Sequence, residues 1–208
     1  ILGKAVRNRG WLESVPQWSK EKELQPSRGV LSLVDEKRLL MELPPHLKRV
    51  VRFALETGLR KSTITSLTMD MFNADNGILT IPPELLLKTR KPLVIKLNRE
   101  ARYLVLNEEG FTEGRMGLRP LNLSRPIFTY KSREFKNPAG SAWKKAKKRA
   151  RVDITFHELR HTWATRRLEE GMPEAIVAHL GGWTSTRMLK TYSHININNI
   201  EILEKFGY

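Results

Sequence analysis

Residues 155–183 constrain the fold more tightly than any other stretch, because they encode two short helices together with their stops. Thr155-Phe156-His157-Glu158 is a capping box, in which hydroxyl and carboxylate each satisfy a backbone N–H of the other residue. Thr155 is read as the cap and Glu158 as the third helical position. Phe156, Leu159 and Trp163 then fall on one side of the helix. Gly171-Met172-Pro173 breaks it, and proline suits the start of the next. Ile176, Val177 and Leu180 turn inward along that second helix before Gly181-Gly182 stops it. Helices this short hold only when packed against partners.

The remaining pattern supplies such partners. Asp35 is placed to cap a helix running through Glu42, with Leu39, Leu40 and Leu43 as its apolar positions. From Pro45 to Glu56, Leu47, Val50, Val51, Ala54 and Leu55 follow the spacing of a buried amphipathic helix. It ends at Thr57-Gly58, where glycine takes a left-handed cap. Ile78–Ile81 and Leu93–Leu97 are β-like runs, so residues 69–97 are expected to form a small antiparallel sheet. Residues 99–106 read as helix, and Pro126–Tyr130 as one short strand in a loop-rich region from Glu108 to Asn137. Ser141–Arg151 reads as a basic helix and Asn199–Phe206 as a final one. The expected fold class is α+β, mainly helical with one small antiparallel sheet. Residues 1–28 read as a tail and linker: Ile1–Ser14 has the makings of a helix, the stretch from Val15 is polar with two prolines and no sustained apolar period, and the compact part is read as starting near Val30. A first residue of Ile rather than Met fits a fragment or a processed form.

Composition narrows the chemistry. No cysteine is present, which removes disulfides, thiolate catalysis and cysteine-ligated zinc. No run approaches the roughly 18–20 apolar residues of a membrane span, and residues 1–15 lack a signal-peptide apolar core. Against 22 Asp and Glu stand 37 Lys and Arg, a net charge of +15 that favours a polyanionic partner such as nucleic acid. Six of these cations, Lys144, Lys145, Lys147, Lys148, Arg149 and Arg151, lie on the basic helix. They suit a DNA backbone, or simply form a solvated face.

Residues 157–161, His-Glu-Leu-Arg-His, admit two chemistries. As H-E-x-x-H they match a zinc peptidase, in which two histidines one turn apart hold the metal and the glutamate activates water. Here Glu158 already has a capping task, no third ligand is signalled, and a peptidase leaves the charge unexplained. The other reading places His157 and Arg160 one turn apart, so imidazole and guanidinium converge on one phosphate. A phosphodiester needs fixed positive charge on its nonbridging oxygens, an acid for the leaving oxygen and a positioned nucleophile. Arg160 offers a bidentate fork, Trp183 an indole N–H, and Tyr192 a phenolic nucleophile. Singly, each has a duller reading: Arg60 as an exposed residue after a helix cap, His157 as a helix-terminal histidine, Trp183 and Tyr192 as packed aromatics.

Several separated motifs, in order, resemble the catalytic domain of the tyrosine recombinase (phage integrase) family. Thr57-Gly58-Leu59-Arg60 looks like the segment carrying the family's first catalytic arginine. Lys88 in KTRKPLVIKL matches its β-hairpin lysine. His157-Glu158-Leu159-Arg160-His161-Thr162 resembles the H-x-L-R-H-T box, and Leu180-Gly181-Gly182-Trp183 precedes Tyr192 in a T-Y-S-H context. Thr63 stands where the family commonly has an acidic residue supporting the arginine, Trp183 replaces the commoner histidine, and Glu158 stands where Asp is frequent. The resemblance implies that Tyr192 attacks a DNA phosphate to form a 3′-phosphotyrosyl bond. Arg60 and Arg160 would stabilise the transition state, Lys88 would protonate the leaving 5′ oxygen, and His157 would act as acid–base partner. Trp183 would orient the phosphate or pack the tyrosine segment. It further implies double-stranded DNA and other copies of the chain, in a tetramer, as partners, no metal or cofactor, and a bacterial cytoplasm at the nucleoid. Residues 1–28 would be the tail of an N-terminal DNA-clamping domain and 29–208 the catalytic domain. The alternatives are a non-catalytic basic DNA-binding module and the zinc peptidase. Ile195, Ile197, Ile200 and Leu203 are expected to need burial, against a neighbouring protomer.

Overall fold

Leu39, Leu47 and Leu159 have no exposed surface, and the helices that carry them pack around one apolar core. The computed structural model describes residues 29–86, 91–106, 125–131 and 133–183. Helix α1 is Leu33–Glu42 and α2 is Pro45–Thr57, followed by the single turn α3, Lys61–Thr65. Strands β1 (Phe72–Asn73), β2 (Ile78–Ile81) and β3 (Leu93–Lys96) make an antiparallel sheet in that order. Helix α4 is Arg99–Leu106. A hairpin pairs β4 (Thr129–Tyr130) with β5 (Arg133–Glu134). Helices α5 (Ser141–Ala150), α6 (Glu158–Glu169) and α7 (Glu174–Gly181) complete the described chain.

Helix α2 lies at the centre, packed on α6 and α4, because its apolar stripe is wide. Leu47, Val50, Val51, Phe53, Ala54 and Leu55 are all buried. Register fixes the sheet's inner face: Leu79 opposes Ile95 and Ile81 opposes Leu93, all four buried, while Thr80 and Val94 between them face out. Helix α5 sits on α1 through Trp143, Ala146 and Ala150, and α7 connects α6 to β3. The expected fold class is what is found, a helical body with small antiparallel sheets. Three details differ. Ser32, not Asp35, caps α1: its hydroxyl accepts the Asp35 N–H at 3.0 Å, leaving Asp35 in the first turn. The expected strand Pro126–Tyr130 is paired as a strand only at Thr129–Tyr130, with Pro126 bridging to Thr68. Its partner, Arg133–Glu134, is polar and exposed, so it carries no apolar alternation to read.

One buried cation holds two helices together through main-chain carbonyls. Arg49 of α2 donates from Nε to the Leu104 carbonyl at 2.6 Å and from Nη2 to that of Val105 at 3.1 Å. Its guanidinium also lies 4.9 Å from the centre of the Phe128 ring. The carbonyls belong to the last turn of α4, which lacks intrahelical donors and carries partial negative charge. Arg49→Met preserves much of the volume but leaves both carbonyls short of a donor. A loss of about 2–4 kcal/mol is expected by urea denaturation, from about 1–3 kcal/mol per orphaned buried group less the desolvation recovered. A variant as stable as the wild type would show that the guanidinium holds nothing.

Candidate active site

Two arginines distant in sequence meet at one backbone turn. Helix α2 stops at Gly58, whose φ of 62° is the left-handed conformation that glycine adopts without steric cost. The extended residue that follows the turn two positions later is Arg60, which begins α3. Its Nη1 donates to the Gly182 carbonyl at 3.3 Å. Partial burial pulls the Arg60 pKa below the ordinary arginine value, yet a guanidinium stays charged at neutral pH. Thr63 does not touch it among the hydrogen bonds of this turn: that hydroxyl donates to the Leu85 carbonyl at 3.2 Å. Among the described residues, the hydrogen bond that Arg60 makes runs to a main-chain oxygen, that of Gly182.

Arg160, in the first turn of α6, is only 3% exposed. Its Nη1 donates to the Gly58 carbonyl at 2.7 Å and also to the Gly181 carbonyl. Its Cζ lies 3.5 Å from the centre of the Trp183 ring. Gly58 closes α2, while Gly181 and Gly182 close α7. Both arginines therefore sit at helix C-termini, where unpaired carbonyls and the helix dipole favour a cation. Trp183 lies nearly parallel to the buried Trp163, at 16° with centroids 6.1 Å apart.

His157 stands at the N-cap of α6 and is exposed. Its ring meets the buried His161 ring edge-on at 4.9 Å. The capping box forms: Glu158 Oε2 accepts the Thr155 N–H at 2.6 Å, and Thr155 Oγ1 accepts that of Glu158 at 3.3 Å. Regular α-helix nevertheless begins only at Glu158, because residues 156–157 make a turn first. The remaining oxygen, Oε1, accepts the Gly29 N–H at 3.2 Å, tying the entering chain to this helix. Both carboxylate oxygens that the zinc reading would aim at a water are thereby engaged. Among the described residues no three of His, Cys, Asp or Glu are grouped to hold a metal ion.

Burial acts to raise the Glu158 pKa, but the Thr155 and Gly29 donors and nearby His161 outweigh it and hold the carboxyl below its ordinary value. A lowered folded pKa means stability present above the unfolded value and lost as pH falls through the folded one. Glu158→Gln should therefore cost about 0.5–2 kcal/mol at neutral pH, the size of a lost cap. The gap from wild type should narrow as pH is lowered through the carboxylate range. A gap independent of pH would assign the cost to packing instead.

The basic helix divides its cations. Arg149 turns back to α1, donating to the Glu42 carboxylate at 2.5 Å and its carbonyl at 2.7 Å. Lys147 pairs with Asp153 at 3.2 Å. Lys144, Lys147, Lys148 and Arg151 border one shallow, open depression with Asp153, and Lys145 is exposed. The Lys88 and Tyr192 positions, and the expected helix Asn199–Phe206 with its isoleucines, lie outside the described residues, as do residues 1–28. Sequence reasoning missed the carbonyls of Gly58, Gly181 and Gly182 as arginine acceptors. The glycines signalled helix stops, and nothing marks a main-chain oxygen as a ligand.

This arrangement of helices around a small sheet is the fold of integrase catalytic domains. That of the bacteriophage HP1 integrase superposes with a TM-score of 0.59 at 22% identity, over 86% of this chain and 95% of that one. A lambda integrase dimer bound to a COC′ core site gives 0.62 at 17%, over 95% and 71%. In sequence, the integrase of Salmonella phage P22 is 32% identical over 173 residues, covering 80% of this chain and 43% of that protein. Residues 30–199 match the Phage integrase family, and the chain belongs to it. It spans less than half the length of the P22 relative. Among the described residues no helix is long and apolar enough to cross a membrane.

Proposed function

We propose that this chain is the catalytic part of a site-specific DNA recombinase that cuts and rejoins strands through Tyr192. The observation that carries the reading is the convergence of Arg60 and Arg160 on the Gly181–Trp183 turn, in a chain of the Phage integrase family. Two fixed guanidiniums offset the charge that builds on the nonbridging oxygens of a five-coordinate phosphorus. The Tyr192 oxygen bonds to phosphorus as the bond to the 5′ oxygen breaks. Lys88 delivers a proton to that oxygen, and His157 accepts the phenolic one. Attack by a 5′-hydroxyl reverses the step, so the phosphodiester energy is kept within the covalent intermediate.

Double-stranded DNA is the substrate, and the exposed cations of α5 (Lys144, Lys145, Lys148 and Arg151) are placed on its backbone, with Lys147 and Arg149 joining them if their ion pairs open. Strand exchange calls for further copies of the chain, four in a synaptic complex. Residues 1–28 serve as the tail and linker of a DNA-clamping domain, and residues 29–208 as the catalytic domain. The setting is the cytoplasm of a bacterial host, at its nucleoid. The relatives are integrases, one of them solved as a dimer on core-site DNA, which supports this assignment.

The test is a nicked suicide substrate bearing the cognate site, incubated in chelator with wild type and with Tyr192→Phe. Wild type should form a covalent DNA adduct and Tyr192→Phe none. A DNA-binding module without chemistry would bind the site yet form no adduct with either protein, and the reading would then fail. An adduct that disappears in chelator would contradict the metal-free step.

A further inference from the structure

Trp163 belongs to no motif of the chemistry, yet it packs on the Gly58 turn and stacks on Trp183, which follows the Gly181–Gly182 turn. Its ring is 2% exposed and sits three residues beyond Arg160 on α6. At Gly58, the site of an added Cβ lies 2.1 Å from Trp163 Cε3 and 2.4 Å from its Cδ2, so the benzo ring presses directly on the backbone there. The ring also runs nearly parallel to Trp183, with centroids 6.1 Å apart, and the Trp183 ring occupies the Cβ site of Gly181 and lies on the Arg160 guanidinium. The Gly58 turn leads into Arg60 and gives Arg160 a carbonyl. The Gly181–Gly182 turn gives a carbonyl to each arginine.

We propose that Trp163 is a positioning residue, a rigid spacer that sets the separation of these two turns and so the separation of Arg60 and Arg160. The indole suits the task because close packing in a protein interior leaves a flat, stiff group no slack to absorb. A shorter ring leaves a gap under Gly58, into which the turn settles by a fraction of an ångström, carrying Arg60 and one Arg160 acceptor with it. Stabilisation of a developing charge falls steeply with such misplacement. The role rests on the recombinase reading, but the spacing itself is measurable without any reaction.

Trp163→Phe, which keeps an aromatic carbon near the Cδ2 position but removes Cε3 and Cζ3, the first of them the atom nearest Gly58, is the variant to compare with wild type. Two readouts are taken on protein shown to be folded by near-UV circular dichroism. The first separates affinity for the nicked DNA from the single-turnover rate of adduct formation at saturating DNA. The rate should fall at least tenfold while affinity stays within about twofold. The second follows Arg160 Nη–H signals by NMR in the free protein. A guanidinium gripped by two carbonyls gives separate signals in wild type, and these should average in Trp163→Phe. The proposal is overturned if the folded variant reacts at the wild-type rate, if rate and affinity fall together, or if its Arg160 signals stay resolved as in wild type. If wild type forms no adduct, the recombinase reading fails, while the NMR comparison still decides whether Trp163 sets the arginine turns. Should Trp163→Phe not fold, Trp163→Tyr, with similarly shortened reach, takes its place in both readouts.

Discussion

Arg160→Lys should lower the rate of adduct formation on a suicide substrate by about 10²–10³-fold, the loss typical of removing one preorganised donor to a developing oxyanion. Charge is retained, so affinity for DNA should change far less. What is lost is geometry. A guanidinium can hold the Gly58 and Gly181 carbonyls with one nitrogen and lie flat on Trp183 while the plane continues toward a phosphate. An ammonium is a compact point charge on a flexible stem, with neither the fork nor the flat face. Folding should also suffer, because Arg160 is only 3% exposed and its replacement must satisfy the same buried carbonyls. A lysine variant cleaving within threefold of wild type would remove Arg160 from the chemistry and leave it a structural cation.

Gly58→Ala should be the most destabilising single-methyl change in the described chain, costing about 2–5 kcal/mol by chemical denaturation. Two independent terms contribute. A φ of 62° costs an L-residue roughly 1–2 kcal/mol. The added Cβ also overlaps the buried Trp163 ring at 2.1 Å, and overpacking of this kind costs about 1–3 kcal/mol. A double-mutant cycle separates them. In a Trp163→Phe background Cε3 and Cζ3 are gone and the overlap shrinks while the backbone term stays, so alanine should cost less there, closer to the backbone term of about 1–2 kcal/mol. Equal penalties in both backgrounds would show that Trp163 does not press on this turn.

Where side chains carry the signal, the fold was readable. The amphipathic spacing from Leu47 to Leu55 places α2 within a residue of its ends, since period and glycine stop agree. Alternation in Ile78–Ile81 and Leu93–Lys96 likewise gives the sheet. The cap of α1 was misplaced because Ser32 and Asp35 both have capping chemistry three positions apart. Only the backbone at Ser32, extended at ψ 156°, decides between them. In the site, residue types and spacing brought out His157, Arg160 and Trp183, and the family resemblance added Arg60; the structure places Arg60, Arg160 and Trp183 at the turns that end α2 and α7, and His157 at the start of α6. Their supports were invisible. Gly58, Gly181 and Gly182 act through carbonyl oxygens, as do Leu104 and Val105 toward Arg49, and every residue has such an oxygen. Trp163 read as one more apolar helix position, because contact with a glycine backbone leaves no pattern in sequence.

The central claim is that one tyrosine, Tyr192, becomes joined to DNA. Trapping the adduct on a suicide substrate, digesting the protein and DNA, and locating the nucleotide-bearing peptide by mass spectrometry addresses it directly. The sequence holds four tyrosines, of which Tyr103, Tyr130 and Tyr208 are the others. A residual nucleotide linked through its 3′ phosphate to Tyr192 alone is the expected result. Linkage to another tyrosine, or through a 5′ phosphate, would contradict the account.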